Sequence, residues 1–599
     1  MNKFLKIFAV IFPFHLCGCN NDDDPIPVSP DDHIPVSPDL GRMNLDFEDR
    51  SPGNASLPKI WNIWGDGFTT SLDDVEKYGG MLSLKMERKG NPNGAFGVFS
   101  NTLPIETFAG KNVEYKGWIK TKGVKNGHAG LWLRVDGEDN MISLDNMSDR
   151  GLKGDNKWTQ VSIQMNVSND AKAIIFGGLF PGEGVVWFDH LELFINGEKY
   201  IDPEPKTSLS QDEITVLKKY IYPLRTYEPD GGDTKDLKVL DDLIGNSKVV
   251  ALGENTHGSS EIFKMKNRII QYLAANNGFD IFSIEANMPE SYKLNDYTVR
   301  GEGDPKRLIA GMNFWTWRTE EVLNMVEWMR IFNQPNQRIL FTGFDMQFPA
   351  GAINELFGAF KGNIEVETKI IDLKNKLDVN TNYWSDLSAV EIDEINILLK
   401  FIKNNIETSS FQDSEKNWLL QNILIIQQSL EYKSSNYADA CRDKCMADNF
   451  MWIKEHNPDS KFVIWAHNMH IANAVGYQGY YLAEKLGDEY KTFGFTFHEG
   501  IYTAVGSKGL TTYEAIKSYP GTLEYLLNQL NEPIFILDLK KIKSDNHKDT
   551  KWLTERLPYR FVGARGGQST EFYDRKIIDD FDYLIFIKTS SPSTLLQVQ

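Results

Sequence analysis

Nothing narrows the folds open to these 599 residues more than a change of texture at Ile201-Asp202-Pro203-Glu204-Pro205-Lys206. Before it, runs of alternating apolar and polar residues, such as Val113 to Thr121, Ala129 to Val135 and Val185 to Ile195, are punctuated by glycine, asparagine and aspartate. Period-two alternation between turn residues predicts antiparallel strands stacked as a jelly-roll-like β-sandwich over 42–202, its first strand at Met43 to Phe47. After it, short β-branched runs at Lys248 to Leu252, Phe279 to Ile284, Arg338 to Gly343, Lys461 to Trp465, Lys491 to Thr496, Pro533 to Asp538 and Tyr583 to Ile587 alternate with helix-period segments. That alternation predicts a three-layer α/β domain over 206–599 with a largely parallel sheet, and the helical block from about Asn363 to Lys454 becomes a cap beside its rim. The chain is too long for one core, in keeping with this multidomain reading.

At the start, Lys3 and Lys6 border an apolar run, Phe4 to Phe14, that meets Leu16-Cys17-Gly18-Cys19. A basic start, a short apolar core and small residues before a cysteine predict a secretory signal over 1–19 rather than a spanning helix. The pattern resembles a bacterial lipoprotein signal, with Cys19 as the lipidated first residue; an ordinary secreted chain with an incidental cysteine is the alternative. Asn20 to Asp24 resembles the acidic tether of surface-exported lipoproteins, and a Pro/Asp-rich repeat, Ile26 to Asp31 and Ile34 to Asp39, makes 20–41 an extended spacer that cannot bury a core. The expectation is a protein lipid-anchored to the bacterial outer membrane, facing the periplasm or the cell surface. A net charge of −19 argues against nucleic acid as a partner. Outside the signal region, Cys441 and Cys445 are spaced i, i+4 on a predicted helix, where a disulfide would be strained, so two buried thiols are expected.

In the first region, Gly184 to Leu193 resembles the last strand of carbohydrate-binding jelly rolls. The resemblance implies an acidic residue there joining one near the first strand around a structural calcium, with Asp46, Glu48 and Asp189 as candidates. Trp61, Trp64, Trp118, Trp132, Trp158 and Trp187 either form a sugar-stacking platform or fill the core.

The second region carries chemistry at its strand ends. Val249-Val250-Ala251-Leu252-Gly253-Glu254-Asn255-Thr256-His257-Gly258-Ser259-Ser260-Glu261 reads as a buried strand, a carboxylate and an imidazole three residues apart, and the start of a helix. Strand carboxyl ends and helix amino ends converge on one rim in such sheets, so Glu254 and His257 either serve a crevice or merely cap the helix. Glu285 closes an otherwise apolar strand, where a carboxylate is costly unless paired or near solvent. His467 and His470, three apart after Val463 to Ala466, can face the same crevice.

Gly253-Glu254-Asn255-Thr256-His257-Gly258 with Glu261-Ile262-Phe263-Lys264-Met265-Lys266 closely resembles the signature of the erythromycin esterase family. Phe314 to Val322, Arg442 to Asn449 and the His467/His470 pair follow in the family's order. The resemblance spans roughly the last two thirds of the chain and implies a carboxylic ester hydrolase that needs no metal, with a small-molecule ester or lactone as substrate. His257 would take a proton from water, Glu254 would orient it, His467 and His470 would serve the oxyanion or leaving group, and Glu285 would organise those histidines. Lys266, Arg318, Trp315, Asp345 and Arg442 are supporting candidates; Arg318 has an ion pair with Glu320 or Glu321 as its alternative. No Gly-x-Ser-x-Gly elbow, His-Glu-x-x-His or P-loop occurs, so a covalent acyl-enzyme, a zincin and a nucleotide hydrolase lose their usual support. Two rival functions stay open: a metal-dependent hydrolase using the same histidines, and a surface glycan-binding lipoprotein whose second domain is inactive. The family's namesake activity opens a macrolide lactone, an antibiotic-resistance function, whereas the sandwich and tether point to an ester on a glycan or an environmental metabolite.

Overall fold

The computed structural model describes residues 41–65, 67–88, 96–138, 140–229, 232–377, 387–434 and 438–597. The signal, Cys19 and the tether up to residue 40 lie outside the described residues.

The first domain is an antiparallel β-sandwich. Its strands run in the order Asn62–Trp64, Gly97–Thr102, Ala173–Phe180, Asn112–Asp136, Glu183–Ile195, Ser83–Arg88, Phe68–Asp73. Asn112–Asp136 fuses the two strands expected at 113–121 and 129–135, because it bends rather than stops: register shifts fall between Ile119 and Ala129, where Gly123 and Asn126 take positive φ. Its first half pairs with Leu152–Asn166 and Glu183–Ile195, its second with Ala173–Phe180 and Met141–Asp145, so one strand serves both sheets. Met43 to Phe47 is not a strand. Asn44 and Phe47 take φ of 50° and 61°, yet Met43, Leu45 and Phe47 are buried, and Trp61 and Phe99 pack edge to face beside Phe47.

The second domain is built on a mixed sheet in the order Ile221–Pro223, Ile534–Asp538, Tyr583–Ser590, Tyr490–Gly506, Val249–Leu252, Phe462–Trp465, Ile281–Asn287, Leu340–Asp345. Six neighbouring strands from Tyr583–Ser590 to Leu340–Asp345 are parallel, and Ile534–Asp538 runs against its neighbours. Burial on both faces explains the β-branched runs: Val249, Ala251 and Ile464 face one apolar core, Val250, Leu252 and Val463 the other. The cap helices Ile364–Lys376, Ala389–Thr408, Asp413–Ser434 and Ala438–His456 share the first of these cores with the sheet through Ile370, Leu399, Ile426 and Phe450.

The sandwich rests on a small hairpin of the second domain, Leu557–Arg560 with Phe572–Arg575. Arg42 donates to the Arg556 carbonyl and lies 3.7 Å from Asp574; Ser51 donates to the Ser569 carbonyl at 3.0 Å, and Lys576 pairs with Glu106 at 2.8 Å. A Cβ on Gly53 would lie 2.5 Å from Ile516 Cγ1, so the domains touch closely there.

Candidate active site

The central strands deliver their polar residues to one rim. Val249–Leu252 ends just before Glu254, Phe462–Trp465 just before His467, Glu285 lies two residues before the end of Ile281–Asn287, and Asp345 closes Leu340–Asp345. Glu254 is fully buried, a position a carboxylate holds only if its lone pairs are used. Its Oε1 lies 2.6 Å from His257 Nδ1, while Oε2 accepts from Lys266 Nζ at 2.6 Å and Trp465 Nε1 at 2.7 Å. Lys266 also donates to the Ala466 carbonyl and sits 4.5 Å above the Trp465 ring. Burial draws its ammonium down to about 8, against the pull of Glu254. With Nδ1 committed to Glu254, Nε2 is the His257 nitrogen left for proton exchange.

His257 is fixed by its loop. Its N–H donates to the Gly563 carbonyl at 3.1 Å, and the next residue must be glycine, because a Cβ on Gly258 would meet the Thr503 carbonyl oxygen at 1.8 Å. The His257 ring stands 5.1 Å from that of His467 and edge to face with Trp317. His467 Nδ1 accepts the Met469 N–H at 3.3 Å, so the ring's proton sits on Nε2, buried and facing the backbone of Asn255. Burial, with His257 and His470 nearby, holds this imidazole neutral, well below the usual histidine range.

A second cluster backs the first. Arg442, on Ala438–His456, donates from Nη2 to Glu285 Oε1 at 2.8 Å and to Asp345 Oδ2 at 2.7 Å. Glu285 Oε2 accepts the His467 backbone N–H at 2.9 Å, and its backbone carbonyl accepts from Trp317 Nε1. Burial alone would raise the Glu285 carboxyl, but His470 and Arg442 carry it well below the carboxylate range. His470 Nδ1 donates to Asp443 Oδ1 at 2.8 Å, and Nε2 lies 3.2 Å from Glu285 Oε1 and 3.0 Å from Arg442 Nη1. Burial and Arg442 oppose its protonation, yet Asp443 and Glu285 push it up to about 10. As a cation His470 donates to Glu285, and its contact with Arg442 is then one of packing.

The fold thus gathers Glu254, His257, Lys266, Glu285, Asp345, Arg442, His467 and His470. Of the other two candidates, the half-buried Trp315 opens a 3-10 turn, and Arg318 is exposed with its carbonyl accepting from Leu596. Glu321 takes the Ser260 hydroxyl at 2.6 Å. Trp317, two residues on from Trp315, is the indole that reaches the rim. His498 is buried elsewhere against Ser518. Sequence reasoning missed Asp443, next to Arg442, and the hairpin wall. Beside His467 opens a small cleft lined by Met469, Phe561, Gly563, Tyr573 and Arg575.

In the sandwich, Asp189 Oδ2 accepts from the Tyr78 and Gly79 N–H groups at 2.7 and 3.1 Å, and Glu48 Oε1 from those of Met81 and Leu82 at 2.7 and 3.1 Å. Asp46 Oδ1 reaches the Glu48 N–H at 3.4 Å. Asp189 and Glu48 thus fasten the 78–82 turn, and Asp46 fastens the backbone of Glu48. Trp61 lies fully in the core and Trp132 and Trp187 are buried; Trp64, Trp118 and Trp158 are half-buried, with Trp118 stacked on Tyr78 at 3.8 Å.

A largely parallel α/β sheet with buried histidines and acids converging at its carboxyl rim is the arrangement in which open α/β folds place a catalytic or binding site. The family profile described as erythromycin esterase matches residues 274–590, and the chain belongs to that family. It is 23% identical to YbfO of Bacillus subtilis (strain 168) over 64% of this chain and 92% of that one, and 24% identical to the erythromycin esterase type II of Escherichia coli over 49% and 80%. Among solved structures, a succinoglycan biosynthesis protein superposes with a TM-score of 0.56 at 26% identity, covering 64% of this chain and 98% of that one. A Bacillus cereus protein gives 0.58 at 26%, covering 64% and 99%, and an erythromycin esterase mutant in its open conformation gives 0.51 at 15%, covering 63% and 100%.

Proposed function

We propose that the chain hydrolyses a carboxylic ester or lactone by direct attack of water, without a covalent acyl-enzyme. The observation that carries this reading is the 2.6 Å contact of His257 Nδ1 with the buried Glu254 carboxylate. It fixes the tautomer that leaves Nε2 basic and supplies the counter-charge for the imidazolium formed when water gives up its proton. His467, held neutral with its proton on Nε2, supplies a donor for the oxyanion, a contribution of roughly 3 kcal/mol when aligned. Glu285 holds the His467 backbone, and Arg442, Asp345 and Asp443 hold Glu285 and His470 in turn. The His470 cation, paired with Asp443 and Glu285, acts by holding that network in place and not as a contact to the oxyanion.

The test is a panel of simple esters, sugar esters and macrolides followed by mass spectrometry. His257→Ala should lower the rate by about 10²–10⁴-fold, in line with loss of a general base, with the circular dichroism of the parent. Equal turnover by parent and variant would remove His257 from the chemistry. We further propose that Cys19 anchors the chain by lipid to the outer membrane; metabolic palmitate labelling lost in Cys19→Ser is the expected outcome.

A further inference from the structure

We propose that Glu431, Cys441 and Cys445 form a site for a thiophilic divalent cation of the zinc and cadmium class, set behind the catalytic rim. Cys441 and Cys445 are free thiols one turn apart on Ala438–His456, so their Sγ atoms share a helix face. Glu431 comes from the neighbouring helix Asp413–Ser434. One ligand atom from each lies within 4.8 Å of the others, and among the described residues no other trio of His, Cys, Asp or Glu side chains is gathered in this way. Around a tetrahedral zinc ion, with Zn–S of ~2.3 Å and Zn–O of ~2.1 Å, ligand atoms stand roughly 3.5–3.8 Å apart, so rotamer adjustment closes the cluster without moving either helix. Two soft sulfurs and one hard oxygen select a d¹⁰ borderline or soft cation over calcium or magnesium. Cation binding takes the thiolate form of each cysteine and so releases the thiol protons. Cys445 is buried, Cys441 half-buried and Glu431 exposed, so the set grades from a sheltered sulfur to a ligand at the surface, an entry path with a fourth position for water.

Arg442 and Asp443 lie on the turn that the two cysteines bracket. A cation held there ties that turn to Asp413–Ser434, and the turn carries the groups that hold Glu285, Asp345 and His470. The site stands on its own geometry, whether or not the ester reading holds.

The experiment uses the full chain carrying Cys17→Ser and Cys19→Ser, which leaves Cys441 and Cys445 as its two cysteines, reduced and stripped of metal. Cadmium is titrated in while the thiolate-to-cadmium ultraviolet band is followed, and zinc is then added as competitor. One equivalent of cadmium should give the band and zinc should displace it. The band should vanish in Cys441→Ser and in Cys445→Ser, affinity should fall about tenfold or more in Glu431→Gln, which keeps both thiols, and His257→Ala should bind as the parent does. Absence of the band, its persistence in both serine variants, failure of zinc to compete, or its loss in His257→Ala would each overturn the proposal.

Discussion

At the scale of single residues, the site is a problem in where charge can be buried. Glu254 and Lys266 have side chains with no exposure and meet at 2.6 Å, so neither can lose the other cheaply. Breaking a buried pair by neutralising one partner costs about 3–5 kcal/mol, so Glu254→Gln should lower the urea midpoint sharply, and adding Lys266→Met should restore much of it while activity stays low. The reverse result, a stable Glu254→Gln with a destabilised double variant, would mean that the pair does not hold the loop. His470 gives a dependence on pH. It faces Asp443, Glu285, Arg442 and, at 6.4 Å between rings, His467. Its folded value near 10 lies above the ~6.5 of an unfolded histidine, so the folded chain holds the extra proton between the two. The stabilisation is whole below ~6.5 and is lost as pH rises through 10, at up to about 1.4 kcal/mol per pH unit. Unfolding free energies of the parent and His470→Gln should therefore converge on the alkaline side and stay parallel below pH ~6.

At the scale of elements, strands and the loops after them decide what was legible in the sequence. Glu254, His257, Glu285, His467 and His470 could be read because a β-branched run followed by polar residues fixes a rim position, and the rim is where the fold puts them. Asp443 could not, since its role depends on where the cap helix docks, and Trp317 rather than Trp315 reaches the rim because a 3-10 turn sets which indole faces inward. Asn112–Asp136 read as two strands because alternation lapses at its bend, although pairing continues through it. The loop between Glu254 and Ser260 is the element most open to test. Gly258 passes so near Thr503 that a methyl group cannot fit, and its carbonyl accepts from both Thr503 and Ser593. Gly258→Ala should push His257 off its place and reduce kcat by ~10²-fold or more while the sandwich stays folded, a split that turnover and limited proteolysis would detect together.

At the scale of the whole molecule, the hairpin Leu557–Arg560 with Phe572–Arg575 has two neighbours. One side supplies Tyr573 and Arg575 to the cleft beside His467; the other receives Arg42 at Arg556 and Asp574. Sequence texture marked neither strand of this hairpin, which is short and rich in charge. Arg42→Ala, at the sandwich's edge, should raise KM for whichever ester is hydrolysed and leave kcat near that of the parent, because it loosens a wall and touches no reacting group; unchanged KM would uncouple the domains. This arrangement bears on how such chains can diversify. A module joined by a linker alone can be exchanged like a cassette, whereas one that braces the mouth of its neighbour's pocket becomes part of that pocket's specificity. Recombination at the Pro203–Pro205 junction would then yield hybrids whose substrate range drifts with the sandwich they inherit, and the two domains should be selected as a single heritable unit.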